Sequence, residues 1–220
     1  MPKRVPQAAS GATNTGTEMP SHSDQFDTIT PDEIGPAILQ LCRKVLGIDE
    51  NASLQPPIYV PIKPVLDAPV NWCFPVVAGK IERDGGSIQH GWIIWEVPDT
   101  FIEAEFHAFW VSPSGEYVDV MPRPAGFTRI LYLPDPKRVW TGEQIDNIRM
   151  PLRNHPLIEE FIRLAERKFQ IEAPIPVGHA IPSELYRPLG QVVQRMIDIL
   201  PELRRMSQVR VQGQKKKSRR

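Results

Sequence analysis

The sequence predicts an α+β fold, in which a helix carrying Cys73 packs on an antiparallel β-meander, with flanking N- and C-terminal helices. Three segments rich in β-branched and aromatic residues follow one another closely, at 88–97, 101–111 and 116–121. Turn sequences rich in Pro, Asp, Ser and Gly separate these segments. Helical periodicity precedes and follows the group of strands, and this arrangement is typical of the α+β class.

The composition limits the class of protein. The chain has 220 residues with 26 Lys plus Arg and 26 Asp plus Glu, and its 41% hydrophobic content is that of a globular domain. Its 24 prolines favour extended connections over a helical bundle. Cys42 and Cys73 are the only cysteines, which is too few for a disulfide scaffold or a four-cysteine zinc site. No apolar run approaches the roughly 18 residues of a membrane span and no secretory signal is visible, so we expect a cytoplasmic protein without membrane contact.

Charge and composition divide the chain into an arm, one domain and a tail. Residues 1–28 are rich in small and polar residues without periodicity, which predicts a disordered arm. Residues 204–220 hold eight basic and no acidic residues, which predicts a disordered basic tail capable of a weak nucleic-acid contact. Residues 29–203 then form a single α+β domain, with its core at about 55–133 and a helical C-terminal part at 141–203.

The N-terminal part of this domain predicts a helix followed by an extended stretch. The sequence T-P-D-E at 30–33 has capping-box spacing, with Pro31 at the first helical position. Helical periodicity then continues to Gly47, which is a typical stop. Five prolines between residues 56 and 69 fix the backbone and remove donors, so this segment is expected to be extended and mostly unpaired.

A second helix is predicted over 72–83. Asn71 is a good N-cap, and the proline in the sequence C-F-P at 73–75 is tolerated only in the first turn of a helix. The pair of glycines after Asp84 ends the helix. Cys73 is therefore expected in the first turn.

The second predicted strand, 101–111, alternates between apolar and polar residues. Alternation places His107 on a polar face together with Glu103 and Glu105. If the turn after this strand is a three-residue hairpin loop, Asp119 lies on the same face, diagonal to His107 and near enough for a hydrogen bond. A four-residue loop would place the two side chains on opposite faces. A further strand is expected at 128–133.

The C-terminal part predicts three helices. A short one extends from 141 to about 151, and a longer one with apolar periodicity covers 157–169. The last is amphipathic, begins near Ser183 and ends before Pro201.

Cys73, His107 and Asp119 are the residue types of a nucleophilic triad. A thiol at the N-terminus of a helix meets the positive end of the helix dipole, which favours the thiolate. An imidazole can take the proton of the thiol, and a carboxylate can hold the imidazole in one orientation. A second interpretation is open, because Cys73 shares a helical face with Val77 and Ile81 and could simply be a small buried residue.

The three residues, in this order and context, resemble the Cys-His-Asp core of transglutaminase-like and papain-like cysteine hydrolases. His107 lies in E-F-H-A-F-W and Asp119 in V-D-V-M-P. The surrounding segment also resembles a set of uncharacterised bacterial proteins. The resemblance implies that the nucleophile opens a helix packed on an antiparallel sheet. It further implies acyl transfer on a peptide or amide substrate, as in a protease, without a cofactor.

Several further residues are candidates for the site. Asn71 could donate a hydrogen bond to an oxyanion. Aromatic residues could line a substrate groove, and the candidates are Trp72, Trp92 and Trp110. Two alternatives to the hydrolase are open. One is a non-catalytic protein-interaction module on the same fold. The other is a metal-dependent enzyme that uses the polar strand face of Glu103, Glu105 and His107 together with Asp119.

Overall fold

The computed structural model describes residues 28–69, 72–124, 126–176 and 179–217, and it describes side chains as far as residue 207. The predicted disordered arm therefore lies, except for Thr28, outside the described residues. Within these ranges, no helix is both long and apolar enough to cross a membrane. The predicted nucleic-acid contact of the basic tail stays a prediction.

The described ranges form four α-helices and a six-stranded antiparallel sheet, which confirms the predicted α+β class with flanking helices. The helices are α1 (Pro36–Leu46), α2 (Cys73–Asp84), α3 (Pro156–Glu172) and α4 (Tyr186–Lys217), the last preceded by a 3-10 turn at Ser183–Leu185. The strands are β1 (Ile58–Pro61), β2 (Ser87–Val97), β3 (Phe101–Val111), β4 (Tyr117–Val118), β5 (Arg129–Pro134) and β6 (Ile148–Pro151).

The sheet curves until it is nearly a barrel. The strand order is β1-β5-β2-β3-β4, and β6 pairs with the other end of β3. A parallel bridge between Ile62 and Asp119 brings the two ends of this order together. The N–H of Asp119 donates to the carbonyl of Pro61 at 3.0 Å, and the N–H of Lys63 donates to the carbonyl of Asp119 at 2.9 Å. The closure therefore fixes the backbone of Asp119 through both its N–H and its carbonyl.

The proline-rich segment is paired where the sequence predicted an unpaired stretch. All four residues of β1 pair with β5. Pro61 stands at the last position of this short strand, where a missing donor is tolerated. The meander of β2, β3 and β4 is as predicted, but β5 joins it beside β2 instead of following β4.

The hairpin between β3 and β4 has a three-residue loop, the first of the two lengths considered from the sequence. Gly115 adopts a left-handed conformation with φ of 85°, and the N–H of Ser112 donates to the carbonyl of Glu116 at 2.9 Å. Trp110 pairs with Val118, so the next position in this register opposes Phe109 to Asp119. Of the two loop lengths considered, the three-residue loop is the one that forms, and it places Asp119 on the same face as His107.

The first helix begins later than predicted. Gly35 is its N-cap and Pro36 its first residue, whereas the T-P-D-E sequence at 30–33 is not helical. Ile29 bridges Glu96 of β2, which holds the preceding chain extended against the sheet. The end is as predicted, because the N–H of Gly47 donates to the last carbonyls of α1.

The region 141–151 contains a strand where the sequence predicted a helix. Four residues, Ile148–Pro151, pair with the N-terminal half of β3 and complete that edge of the sheet. The last helix also differs, since α4 continues through Pro201 to Lys217 and so includes most of the predicted disordered tail. Leu203 is fully buried in a cluster with Phe161 and Ile199, and this packing compensates for the hydrogen bond that the proline removes.

The helices cover different parts of the sheet. α1 packs on the outer face around Trp92 and Ile94, and α2 packs on β3 through Val77 and Ala108. α3 and α4 pack on each other and on the β2–β3 turn. The site described next lies where α2 meets β3 and the chain after β4.

Candidate active site

Cys73 is the first residue of α2, as predicted, and its side chain is buried with 7% exposure. Pro75 carries no N–H, and the N–H of Val76 donates to the carbonyl of Trp72 at 3.2 Å. Helix geometry leaves the N–H groups of Cys73 and Phe74 without an intrahelical acceptor. The thiol thus lies at the positive end of a three-turn helix, next to two backbone donors.

His107 and Asp119 lie together as the hairpin register requires. The distance between His107 Nε2 and Asp119 Oδ1 is 3.1 Å, and both side chains are buried. The imidazole meets the ring of Phe109 edge-on, with ring centroids 4.9 Å apart. The N–H of Met121 also donates to Asp119 Oδ1 at 3.2 Å. These contacts hold both rings and the carboxylate in one arrangement.

The Cys73 thiol is close enough to His107 for charge on its sulfur to act on the imidazole. Burial alone would lower the pKa of the imidazole, but negative charge on Cys73 and hydrogen bonds with Asp119 and Cys73 outweigh it and raise the pKa to about 10. Because Nε2 faces Asp119, Nδ1 is the ring nitrogen left for the thiol. The imidazole therefore lies between the thiol and the carboxylate.

Arg123 is a member of the site that the sequence analysis missed. Its Nε donates to Asp119 Oδ2 at 2.8 Å, and its guanidinium lies over the ring of Trp95 at 5.3 Å. Burial raises the pKa of Asp119, yet the hydrogen bond and charge of His107 and the charge of Arg123 together hold it below its ordinary value. The only signal in the sequence is the spacing of four residues from Asp119, which many surface arginines share.

The predicted aromatic groove is not formed as expected. Trp72 is the N-cap of α2 and is 48% exposed, so it remains a candidate for substrate contact. Trp92 is fully buried and donates from its Nε1 to Asp135 Oδ2 at 3.1 Å, so its assignment to substrate binding is wrong. The apolar face of β2 that it occupies is covered by α1.

Trp110 contacts the C-terminal end of α2, and Asn71 lies outside the described residues. Trp110 Nε1 donates to the carbonyl of Gly85 at 2.8 Å, at the far end of α2 from Cys73. A helix of this length separates the two ends by about 18 Å, so Trp110 fastens the far end of α2 to the sheet, and its assignment as a substrate contact stays a prediction. Asn71, the predicted oxyanion donor, lies outside the described residues, and Trp72 takes the N-cap position expected for it.

The polar strand face does not provide a metal site. Glu103 Oε2 lies 3.1 Å from Arg149 Nε, and Glu105 accepts a hydrogen bond of 2.6 Å from Trp95. In the part of the chain that the structure describes, no three His, Cys, Asp or Glu side chains converge as metal ligands. Because Glu103 and Glu105 are engaged with Arg149 and Trp95, this face gives the metal-dependent alternative no support, and that alternative stays a prediction.

Comparisons with protein-family models, with curated proteins and with solved structures find no match for this chain. Function must then be inferred from the chemistry of the site. The site combines a thiol, an imidazole and a carboxylate in series, with backbone donors beside the thiol. This combination is suited to nucleophilic attack on a carbonyl carbon.

Proposed function

We propose that the protein is a cysteine-dependent acyl hydrolase or acyltransferase, similar to a protease or amidase, with Cys73 as nucleophile. The observation that carries this proposal is the position of His107, whose Nε2 is 3.1 Å from Asp119 Oδ1 and whose imidazole is close enough to Cys73 to interact with charge on its sulfur. A core thiol needs no such partners. The resemblance to transglutaminase-like and papain-like enzymes supports the same chemistry.

The proposed reaction has two steps, acylation of Cys73 and hydrolysis of the resulting thioester. In the first, His107 takes the thiol proton of Cys73, Sγ bonds to the carbonyl carbon of an amide or ester, the carbon–heteroatom bond breaks, and His107 gives that proton to the leaving group. In the second, water attacks the thioester while His107 takes a proton from it, and the Cys73 thiolate leaves. An amine in place of water would give acyl transfer.

The first turn of α2 supplies the electrostatic part of the proposal. The N–H groups of Cys73 and Phe74 point out of the helix end, where a developing oxyanion would gain from them and from the helix dipole. Trp72 exposes about half of its surface directly before Cys73, so it is the aromatic residue placed to contact an acyl group.

The test is the rate at which iodoacetamide alkylates Cys73 as a function of pH. The thiolate is the reactive form, and an ordinary thiol is almost entirely protonated at about pH 6. We expect the wild-type protein to react at about pH 6 about 100-fold faster than the variants His107→Ala and His107→Gln. Mass spectrometry of the labelled peptides separates Cys73 from Cys42, whose pKa burial raises to about 12.

The same cysteine in the urea-unfolded chain is the matched reference for an unactivated thiol. His107→Gln keeps a polar side chain in the buried position, and circular dichroism checks that each variant is folded. If folded Cys73 reacts no faster than in urea and does not respond to either His107 variant, the proposal fails. A non-catalytic interaction module would then be the better account of the fold.

A further inference from the structure

Arg123 returns from the chain after β4 to contact the two residues that orient the nucleophile. Its Nε donates to Asp119 Oδ2 at 2.8 Å, and its Nη2 lies 3.4 Å from His107 Nε2. The side chain is only 14% exposed, although arginine is usually a surface residue. The guanidinium is therefore largely buried beside the Asp119 carboxylate and the His107 imidazole.

We propose that Arg123 is a positioning residue of the site, which fixes the Asp119 carboxylate so that Oδ1 faces His107. This inference rests on the proposed function. Asp119 Oδ1 faces His107 and accepts from the N–H of Met121, while Oδ2 accepts from Arg123. With both oxygens bonded, the carboxylate cannot rotate about its terminal torsion without breaking a charge-assisted bond. The orientation of the imidazole follows from that of the carboxylate.

Arg123 also balances the charge of the buried site. A thiolate, an imidazolium and a carboxylate carry a net charge of −1, and burying an uncompensated charge is costly. With the thiolate and imidazolium of the proposed mechanism, the guanidinium brings the sum for Cys73, His107, Asp119 and Arg123 to zero. Asp119 is fully buried, so its charge is the one most in need of a second cation.

Other charged groups near the site are engaged with partners of their own. Lys63, which follows the bridge to Asp119, forms an exposed ion pair with Glu116 at 3.0 Å. Glu105 accepts from the Nε1 of Trp95, whose ring lies under the guanidinium of Arg123. Within the described part of the chain, Arg123 is therefore the cation that pairs with Asp119 besides the imidazole.

The guanidinium has a second, opposing effect on His107. When His107 is an imidazolium with Nε2–H directed toward Asp119, the 3.4 Å contact with Arg123 brings together two donors and two positive charges. Repulsion alone would disfavour the imidazolium. The positioning proposal holds that the fixed carboxylate outweighs this repulsion, and the two effects predict opposite results when the guanidinium is removed.

The experiment compares the pH profile of Cys73 alkylation in Arg123→Met, Arg123→Lys and wild-type protein. Methionine keeps an unbranched apolar side chain against Trp95 but removes the charge and the donors. We expect Arg123→Met to lower the rate at about pH 6 about tenfold, and its acid limb to move up by about one pH unit. Lysine restores the charge without the fork, so Arg123→Lys should recover part of the loss.

The matched control is Arg129→Met. Arg129 stacks its guanidinium on the ring of Tyr59 at 3.9 Å and makes no contact with the triad. We expect its alkylation profile to coincide with that of the wild type. A profile of Arg123→Met that also coincides with wild type, or a faster rate at low pH, overturns the positioning role. A purely structural arginine would lower the melting temperature and leave the profile unchanged.

The two proposals fail in different ways. If His107→Gln leaves Cys73 reactivity unchanged, the catalytic proposal has failed and the role of Arg123 fails with it. If His107→Gln is slow while Arg123→Met behaves as wild type, only the positioning role is refuted. If His107→Gln and Arg123→Met both react slowly and Arg123→Lys recovers part of the loss, the catalytic and the positioning proposals are both supported.

Discussion

Two clusters of buried charge lie on the same face of β3, four residues apart, and only one of them includes a cysteine. At His107 the strand meets Cys73, Asp119 and Arg123. At Glu103 it meets the guanidinium of Arg149, which also pairs with Asp146 at 3.1 Å. The first cluster has groups that exchange protons, whereas the second has a carboxylate held by an arginine. We call them the His107 cluster and the Glu103 cluster.

The two carboxylates differ in the direction of their pKa. Burial raises the pKa of Glu103, and repulsion from Glu105 and Asp146 adds to burial, so Arg149 does not compensate. Asp119 has two cationic partners, and its pKa is lowered in spite of equal burial. Burial raises the pKa of both carboxylates, and only around Asp119 do the hydrogen bonds and cationic partners outweigh it.

The Glu103 cluster serves the fold, since it fastens β6 to the edge of β3. Glu103 pairs with Arg149 in the register of the two strands, and Asn147 donates to Glu103 Oε2 at 3.3 Å. The backbone carbonyl of Arg149 accepts from Lys44 of α1 at 3.0 Å. Arg149 Nε is close to Glu103 Oε2 but does not have the geometry of a hydrogen bond, so the contact is an ion pair by distance only.

Removing one charged partner from the Glu103 cluster should have the largest effect of the variants that distinguish the Glu103 cluster from the His107 cluster. Glu103→Ala leaves the guanidinium of Arg149 buried with only Asp146 as an anionic partner, so we expect a loss of about 3 kcal/mol in the free energy of unfolding. Urea denaturation followed by circular dichroism measures this loss. The double variant Glu103→Leu, Arg149→Met removes both charges and should lose less than the single variant.

The alkylation profile of Cys73 in Glu103→Ala distinguishes the clusters. We expect it to match wild type under conditions in which the variant is folded, because Glu103 touches no member of the triad. A profile displaced as far as that of Arg123→Met would show that the clusters act as one network.

Matched amide substitutions sharpen the comparison. In Asp119→Asn the side chain keeps one acceptor oxygen, so either His107 or Arg123 faces an amide nitrogen where it now faces oxygen. We expect Cys73 alkylation at about pH 6 to fall about 30-fold in Asp119→Asn and to change less than about twofold in Glu103→Gln. Equal effects in the two variants would contradict the assignment of Asp119 to the triad.

The local geometry of the site could be predicted from the sequence because it depends on near neighbours. The left-handed glycine at 115 fixes a three-residue loop, and this loop alone sets the register that puts Asp119 near His107. Likewise, the proline at 75 restricts the start of α2 and places Cys73 at its first residue.

Long-range pairing could not be predicted in the same way. β1 reaches β5 across about 70 residues of chain, and the prolines of that segment suggested that it would stay unpaired. Arg123 joins the site through the path of the chain after β4, which returns its guanidinium to the carboxylate of Asp119. β6 has no strand signal strong enough to outweigh the polar sequence before it, and it is paired because the edge of β3 is available.

The smallest expected effect is on the pH dependence of stability, where the two carboxylates should act with opposite sign. The lowered pKa of Asp119 contributes stability that is present above its ordinary value of 3.8 and is lost as pH falls through the folded pKa. The raised pKa of Glu103 lets the folded state hold an extra proton, so stability falls as pH rises from 4.5 toward the folded pKa.

Urea unfolding across the acidic pH range can resolve these two opposite pH dependences. Each variant is compared with wild type by the slope of its free energy of unfolding against pH, and not by the absolute free energy. Asp119→Asn should flatten the loss of stability on the acid side of 3.8, and Glu103→Gln should flatten the decline above 4.5. Both variants flattening the same limb would mean that the two carboxylates experience the same environment. The opposite slopes are expected because His107 and Arg123 both face Asp119, whereas Glu103 faces one arginine and two neighbouring carboxylates.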